Sequence, residues 1–467
     1  MSIVKTFLKD SFWTIGAQGV SLLTSIIVSF ILPKFITVEQ FGYWQYFLLW
    51  TGYVGVLHFG YGDGIYLKMG GQYWASIDRS RWMPQMQTVV LVQLLLAAAT
   101  AVGALTLCSS EAYMLIFLAT AAYLVVENTY KIITMAMMAT DQIPFVSKTV
   151  IVDKLLMALL TAALIMAGNQ KATYVMEGYI IAHLAACIMA VGKSKLFCRF
   201  YIPSKTSCRE IASLCKTGFI LMLANFASIL TMGLCRLAVE YYWDIEEFSK
   251  LSFSITIASF LLFFISQVGY VLFPVLKRIK AEAQATLFAT ADFIMTMLPI
   301  LFYVLFFAMY FFVMAWLPKY EESLQFLAFT APCICLETRV VILYNTYFKN
   351  LGKIKPLLYI NLVTVAFAII CYSWAVWLHS IDLIALGILL AEVLKVVVMQ
   401  RMLRRTYDIP TQRVSLLDAV NTVGFVASYY YLGVYAAMGW YALILCVIAI
   451  FFREETLKTI VKIKNIR

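Results

Sequence analysis

The sequence predicts an all-α polytopic membrane protein with about 14 transmembrane helices, arranged as two parallel six-helix lobes around a central cavity plus two C-terminal helices. Three observations predict this fold: an apolar composition, an uneven distribution of Lys and Arg, and an internal repeat. Of the 467 residues, 63% are hydrophobic and only 13% are charged, whereas a soluble domain carries about a quarter charged residues. The chain therefore lacks the polar residues that would cover a water-facing surface.

Apolar segments without charge supply the predicted helices. Segments such as 15–32 hold 18 residues, which is long enough to cross a hydrocarbon core of about 30 Å. A β-barrel would show short segments of alternating polarity instead. The first span is too long for a removable signal peptide and should remain in the protein. Between the last two spans, only Tyr435–Trp440 offers a turn. We place the spans near 11–33, 42–62, 88–108, 112–136, 147–168, 172–192, 213–238, 251–275, 290–316, 324–348, 356–378, 382–400, 415–434 and 436–452.

The distribution of Lys and Arg predicts the orientation of the chain. Of the 36 Lys and Arg residues, the two termini and the even-numbered connections hold 28, counted with the ends of the flanking spans. The odd-numbered connections hold only Lys34, Lys171, Lys250 and Lys319. Because cytoplasmic loops are rich in Lys and Arg, both termini are predicted to be cytoplasmic. The net charge of +11 is therefore a signature of topology, and we expect no nucleic-acid partner.

A short motif recurs at an offset of 207 residues. Thr37-Val-Glu-Gln-Phe-Gly follows the first span, and Asp244-Ile-Glu-Glu-Phe-Ser follows the seventh. An even number of spans per repeat keeps two lobes parallel, as in transporters that alternate access. We therefore predict a first six-helix lobe at 1–200, a second at 201–408, and two additional helices with a basic cytoplasmic tail at 409–467.

Ionisable side chains inside the predicted spans are candidate functional residues. Each costs about 2.5 kcal/mol or more at the bilayer centre and usually faces the bundle interior or a wet cavity. Residues three or four apart on a helix can neutralise each other. Three pairs have this spacing, and for them a structural role competes with a functional one: Glu127 with Lys131, Arg236 with Glu240, and Glu392 with Lys395.

Glu337 and Arg339 cannot pair along their own helix. They lie two residues apart and point to different sectors, and the residues three and four positions away carry no charge. Each needs a partner from another helix, a bound ligand or water, so an interhelical ion pair and a substrate-facing role both remain open. Asp153 and Lys154 pose the same question in the fifth span, where Lys154 could also snorkel towards the surface.

The sequence carries no motif for hydrolysis or group transfer. It has no Walker A motif, no nucleophile elbow and no His/Cys cluster with metal spacing, and every connection is short. We therefore expect neither an enzyme nor a cofactor. The ten cysteines suggest no disulfide framework. His58 is expected to pack at the end of the second span, where the glycines of Phe59–Ile65 would end the helix and allow another helix to approach closely.

Six stretches carry a family resemblance: Ile31–Trp44, Phe59–Gly64, Cys235–Ser249, Phe273–Arg278, Trp316–Ser323 and Asn350–Lys355. Together they resemble Wzx-type polysaccharide flippases. These belong to the multidrug/oligosaccharidyl-lipid/polysaccharide (MOP) exporter superfamily, which also contains the MurJ lipid II flippases and the MATE drug antiporters. The sequence departs from the family at Cys235, where an acidic residue often precedes the arginine.

The resemblance implies a flippase in the bacterial cytoplasmic (inner) membrane. Its substrate would be an undecaprenyl-diphosphate-linked oligosaccharide, which is turned to the periplasmic leaflet for the biosynthesis of O-antigen, capsule or exopolysaccharide. Membrane lipids and polysaccharide polymerase machinery would be its other partners. Because arginine binds a diphosphate through bidentate donors, Arg236 and Arg339 are the first candidates for substrate binding, and Lys154 is the third. The carboxylates that could line the cavity or carry coupling protons or sodium are those of Glu127, Asp153, Glu240 and Glu337.

Two other functions compete with this one. A MATE-type cation-coupled drug or solute antiporter would concentrate acidic residues in the cavity of one lobe. A membrane glycan polymerase or ligase also uses lipid-linked sugars, but such enzymes commonly need a sizeable periplasmic loop. The predicted loops on that side are short, which favours the flippase.

Overall fold

The computed structural model describes residues 3–201, 205–278, 281–408 and 412–451. These residues form α-helices joined by short connections and contain no β-strand, which confirms the all-α fold. The chain divides into two compact units, Met1–Ile229 and Leu230–Arg467. The basic tail predicted at the C-terminus lies outside the described residues.

In the first unit, α6 occupies the centre and packs against α3, α4, α5 and α8. A π-helical turn at Ile27–Ile31 joins the first two helices. The helices that belong to this unit, the last of them only in its first part, are α1 (Ile3–Ile26), α2 (Leu32–Phe35), α3 (Val38–Val54), α4 (Tyr61–Met69), α5 (Arg79–Leu107), α6 (Glu111–Ala139), α7 (Ile143–Met166), α8 (Ala172–Ser194) and α9 (Lys205–Tyr242).

In the second unit, α12 is central, since it packs against α10, α11, α15 and α16. Fourteen of its 17 residues are buried, which agrees with the apolar run that surrounds Glu337 and Arg339. The helices that follow α9 are α10 (Ile245–Arg278), α11 (Ala281–Trp316), α12 (Ser323–Arg339), α13 (Asn345–Asn350), α14 (Ile354–Trp377), α15 (Ile381–Thr406) and α16 (Gln412–Phe451).

Each predicted span overlaps a helical segment, and nine segments of the described residues are long and apolar enough to cross a membrane. The predicted turn at Tyr435–Trp440 is wrong. The break in α16 falls at Gly433, whose φ of 73° and ψ of 166° interrupt the helix. A glycine adopts this left-handed φ without steric cost, so the chain turns there and helical structure continues through Tyr435.

The second predicted span is divided as its glycines suggested. Phe59 (φ 53°) and Gly60 (φ 77°) both adopt left-handed conformations and separate α3 from α4. His58 is buried, as expected, and its Nδ1 accepts a hydrogen bond from the Gly60 amide at 3.0 Å. The ten cysteines are all free thiols.

The repeated motif caps a helix in each unit. Thr37 precedes α3, and its hydroxyl oxygen accepts a hydrogen bond from the Gln40 amide at 3.2 Å. Asp244 precedes α10, and its Oδ1 accepts from the amides of Glu246 and Glu247 at 2.9 and 2.8 Å. The first amides of a helix lack intrahelical partners, and a Thr or Asp side chain at this position satisfies them.

We expect Asp244→Ala to lower the free energy of unfolding by about 1 kcal/mol, because two amides at the start of α10 lose their acceptor. Asp244→Asn keeps a capping oxygen and should cost less. Thermal unfolding of the purified protein in detergent measures both. Equal losses for Ala and Asn would contradict a capping role.

Candidate functional site

A group of four ionisable side chains lies inside the first unit, which we call the His183 cluster: Glu127, Asp153, Lys154 and His183. The His183 imidazole lies between two carboxylates. Its Nε2 is 2.9 Å from Glu127 Oε2, and its Nδ1 is 3.4 Å from Asp153 Oδ2. The Lys154 amine lies 3.0 Å from the same Asp153 oxygen. The cluster therefore joins α6, α7 and α8 through charge.

Three tyrosines surround the His183 cluster. Tyr123 donates a hydrogen bond to Glu127 Oε2 at 3.2 Å, and its ring centroid lies 5.1 Å from that of His183. The Tyr130 ring lies 4.9 Å from the imidazole. The Lys154 amine lies 5.7 Å from the centroid of the Tyr179 ring. Aromatic faces of this kind attract a cation while the ring excludes water.

The four side chains differ in their access to the exterior. Those of Asp153 and His183 are each only 7% exposed, whereas Glu127 is 21% exposed and Lys154 is 28% exposed. Lys154 is therefore the member of the cluster that is most open to a ligand. Its backbone carbonyl accepts a hydrogen bond from Thr24 of α1 at 2.9 Å, which fixes this part of α7.

Two expectations for these residues are corrected. Glu127 forms its ion pair with His183 on α8 rather than with Lys131 on its own helix, because α6 packs against α8. Asp153 and Lys154 are adjacent in sequence, where side chains usually diverge. They nevertheless pair, because the long lysine side chain reaches back to the carboxylate.

In the second unit, Glu337 finds its partner on another helix. Its Oε2 lies 2.6 Å from the Lys395 amine of α15. The same amine lies 2.8 Å from Glu392 Oε1, which confirms the predicted pair of Glu392 and Lys395. Glu392 and Lys395 are almost fully buried, and the Glu337 side chain is 19% exposed. This Lys395 cluster joins α12 to α15.

Arg339 belongs to a separate and fully buried group, the Asp292 cluster. Arg339 Nε donates to Asp292 Oδ1 at 3.0 Å, and Arg404 Nε donates to Asp292 Oδ2 at 3.0 Å. Tyr344 and Gln400 donate to the same carboxylate at 2.8 and 3.0 Å. The cluster joins α11, α12 and α15. Of the two roles left open for Arg339, these contacts favour the interhelical ion pair.

Arg236 and Glu240 lie on α9 in the second unit, and both are half-buried. Arg236 Nε donates to Ser252 Oγ of α10 at 2.9 Å, and its guanidinium carbon lies 5.2 Å from the Phe248 ring centroid. Unlike Arg339, Arg236 therefore keeps part of its surface accessible. It remains the arginine best placed for a ligand in this unit.

Sequence reasoning missed two residues at the centres of these clusters. His183 lies in the middle of the sixth predicted span, and an intramembrane ionisable residue is itself a signal. Asp292 lies at the edge of the ninth predicted span, where a carboxylate is read as a surface residue. The helix α11 begins at Ala281, so Asp292 is three turns inside it.

No family model and no curated protein matches the chain. Solved structures do match the chain. "Lipid II flippase MurJ, inward closed conformation" is 12% identical, with a TM-score of 0.62 over 96% of this chain and 99% of that one. An inward-facing multidrug resistance MATE family transporter of the MOP superfamily is also 12% identical, with a TM-score of 0.57 over 86% of this chain and 96% of that one. The fold is that of MOP-superfamily transporters.

The chain therefore shares its architecture with a MurJ flippase and with a MATE transporter. Within this fold, the second unit contains an apolar groove of about 530 Å³ between α12, α15 and α16. Leucine and valine side chains such as Leu389, Val393 and Val423 line most of it. A groove of this composition binds hydrocarbon better than a charged or hydrated group.

Proposed function

We propose that this protein is a flippase that moves an undecaprenyl-diphosphate-linked oligosaccharide across the cytoplasmic membrane by alternating access. The observation that carries the proposal is the partial exposure of cations inside apolar helices: the Lys154 side chain is 28% exposed, and Arg236 is half-buried. Each of these cations keeps accessible surface in addition to its present contacts, so it can also contact an anionic group at membrane depth. A diphosphate is such a group.

The charge pairing in the His183 cluster offers less to a cationic substrate than carboxylates without basic partners would. In the His183 cluster, Glu127 and Asp153 each lie within 3.4 Å of a basic nitrogen. Their charges are therefore already compensated by His183 and Lys154. A cavity for a cationic drug would instead need carboxylates without basic partners, so the MATE-type alternative is the weaker one for this unit.

The apolar groove of the second unit supports a lipid-linked substrate. Its volume of about 530 Å³ and its leucine and valine lining suit several isoprene units of a polyprenyl chain. A water-soluble substrate would gain nothing from such a surface. The groove therefore favours a substrate whose polar head and hydrocarbon tail are handled by different parts of the protein.

In the proposed mechanism, the protein shelters the sugar diphosphate while the lipid tail stays in a hydrocarbon environment. Arg236 would donate bidentate hydrogen bonds to phosphate oxygens, and Lys154 would act as a point charge. The two lobes would rock to open the substrate path to one side and then to the other. We further propose that polysaccharide polymerase machinery receives the product. We also propose that the carboxylates, including that of Glu240, support ion coupling.

Mass spectrometry of lipid-linked oligosaccharides, in cells with and without this gene, tests the function. We expect loss of the gene to cause accumulation of a complete undecaprenyl-linked repeat unit. Incomplete or unpolymerised chains at the outer face would favour the polymerase. No change in any lipid-linked glycan, with redundant flippases also removed, would overturn the proposal and favour the antiporter.

Lys154→Gln and Arg236→Gln are each expected to reduce flipping about tenfold or more, because a charge-assisted hydrogen bond contributes roughly 1.5–3 kcal/mol. Accumulation of the lipid-linked repeat in a complemented deletion strain measures the effect, with protein levels checked by immunoblot. Lys250→Gln is the matched control, since Lys250 binds Glu247 at the start of α10. Equal flipping by all three variants would exclude both cations from substrate binding.

A further inference from the structure

The two units carry the same kind of ion pair at matching places. In the first unit, Glu127 of α6 contacts His183 of α8 at 2.9 Å. In the second, Glu337 of α12 contacts Lys395 of α15 at 2.6 Å. Each pair links the fourth and sixth predicted spans of its six-span set. The two glutamates lie 210 residues apart and the two bases 212 apart, close to the offset of 207 for the capping motif.

The surroundings of the two pairs also correspond. Each pair joins the central helix of its unit to a packed neighbour. Each base also contacts a second carboxylate, which is Asp153 in the first unit and Glu392 in the second. The duplicated feature is therefore a base held between two carboxylates.

The bases differ in one respect that matters chemically. Lysine keeps its charge throughout the physiological range, whereas histidine is the side chain that gains and loses a proton there. The base of the Lys395 cluster is therefore permanently charged. The corresponding position in the first unit holds a group that can change its charge.

The surroundings of His183 favour a proton on each ring nitrogen. Neutral imidazole has one N–H and one lone pair, so it can donate to only one carboxylate. Here Nε2 faces Glu127 Oε2 at 2.9 Å and Nδ1 faces Asp153 Oδ2 at 3.4 Å. Nδ1 lies within hydrogen-bond distance of Asp153, whereas Nε2 lies beside Glu127 without a well-directed hydrogen bond. A positively charged ring is attracted to both carboxylates, so this arrangement favours imidazolium.

We propose that His183 is a proton-binding site, and that the bound proton bridges Glu127 of α6 and Asp153 of α7 to α8. When the proton leaves, the ring loses its positive charge and its attraction to the two carboxylates weakens. The electrostatic links from α6 and α7 to α8 then weaken, while the packing of these helices against α8 remains. Lys395 keeps its charge over the same range, so its contact with Glu337 does not depend on a proton that the base gains or loses.

The same proton sets the charge of the cluster. Glu127, Asp153, Lys154 and His183 sum to zero when His183 is protonated and to −1 when it is not. The other titratable groups that face the cluster are His58, which follows α3, and five residues of α6 and α8: Tyr123, Tyr130, Lys131, Tyr179 and Cys187. A protonated His183 should favour binding of an anionic head group near Lys154, and its deprotonation should weaken that binding. This expectation rests on the proposed function.

Nitrogen NMR of the full-length protein with ¹⁵N-labelled histidine tests the proton site directly. The chain has three histidines, so His183→Gln assigns the signal by its disappearance, and His379→Gln provides the control for an unrelated histidine. We expect two protonated ring nitrogens for His183 at pH 7. A neutral tautomer at pH 7 that persists down to pH 6 would overturn the proposal. This measurement requires no substrate, so it does not depend on the proposed function.

A second experiment replaces His183 with lysine, the base at the corresponding position of the second unit. His183→Lys places a permanent charge between the same carboxylates. With undecaprenyl diphosphate as the probe, we expect the wild type to bind at least threefold more tightly at pH 6 than at pH 9, and His183→Lys to lose this dependence. An equal pH dependence in both proteins would overturn the link to anion binding. If the probe does not bind at any pH while imidazolium is observed, the proposed function fails and the proton site stands.

Discussion

Asp292→Ala is expected to prevent the second unit from reaching its folded state. The carboxylate of Asp292 is the acceptor for Arg339 and Arg404, and all three residues are at most 3% exposed. Removing it leaves two guanidinium groups buried without a counter-charge. Breaking one buried ion pair costs about 3–5 kcal/mol, and the whole stability of a domain is about 5–15 kcal/mol.

Size-exclusion chromatography of a fluorescent fusion in detergent measures this effect, as the fraction of monodisperse protein. Glu322→Ala is the matched control, because its carboxylate is 70% exposed and binds Lys250 at the surface. We expect the Glu322 variant to behave as the wild type. A monodisperse Asp292→Ala protein with unchanged thermal stability would contradict the buried-charge argument.

A variant that lacks all three charges separates the effect of an unpaired buried charge from the effect of altered packing. Replacing Asp292, Arg339 and Arg404 together with Leu, Met and Met removes all three charges, and buried ion networks can often be exchanged for apolar side chains of similar volume without loss of stability. We expect this triple variant to recover most of the monodisperse fraction. Continued loss in the triple variant would assign the effect to the hydrogen bonds of Tyr344 and Gln400 instead.

The helices of both units could be predicted from the sequence because the bilayer sets a minimum apolar length. Each predicted span overlaps a helical segment for this reason. The details at helix ends follow other rules. The break in α16 depends on the left-handed φ that Gly433 adopts, and hydropathy does not distinguish Gly433 from the small residues that follow it.

The charge clusters could be predicted only in part, because sequence spacing identifies partners on one helix and not on neighbouring helices. Glu392 and Lys395 are three residues apart, and their pair was predicted. Glu337 and Arg339 were correctly expected to need partners elsewhere, but their partners Lys395 and Asp292 depend on the packing of α12 against α15 and α11. Helix adjacency is the missing information.

The backbones of α4 and α9 lie in contact in the first unit, so a larger residue at this contact is expected to destabilise the protein. Gly60 and Gly64, at the start of α4, lie against Gly218 of α9. A Cβ atom on Gly218 would overlap the carbonyl oxygen of Gly60 and lie 2.7 Å from the amide nitrogen of Gly64. Both are backbone atoms of a helix start and cannot move aside as a flexible side chain can.

We expect Gly218→Ala to destabilise the first unit strongly and to lower the unfolding temperature by several degrees or more, because the two helices must separate to admit one methyl group. The same substitution in an open helix has the opposite sign, since Ala is a better helix former than Gly by about 1 kcal/mol. Gly103→Ala in α5 is the matched control, because a Cβ atom there would meet nothing within 4 Å. Thermal unfolding of the two variants should therefore shift in opposite directions. Equal or greater stability for Gly218→Ala would mean that α4 and α9 do not touch through their backbones, and the glycines of Phe59–Ile65 would then need another explanation.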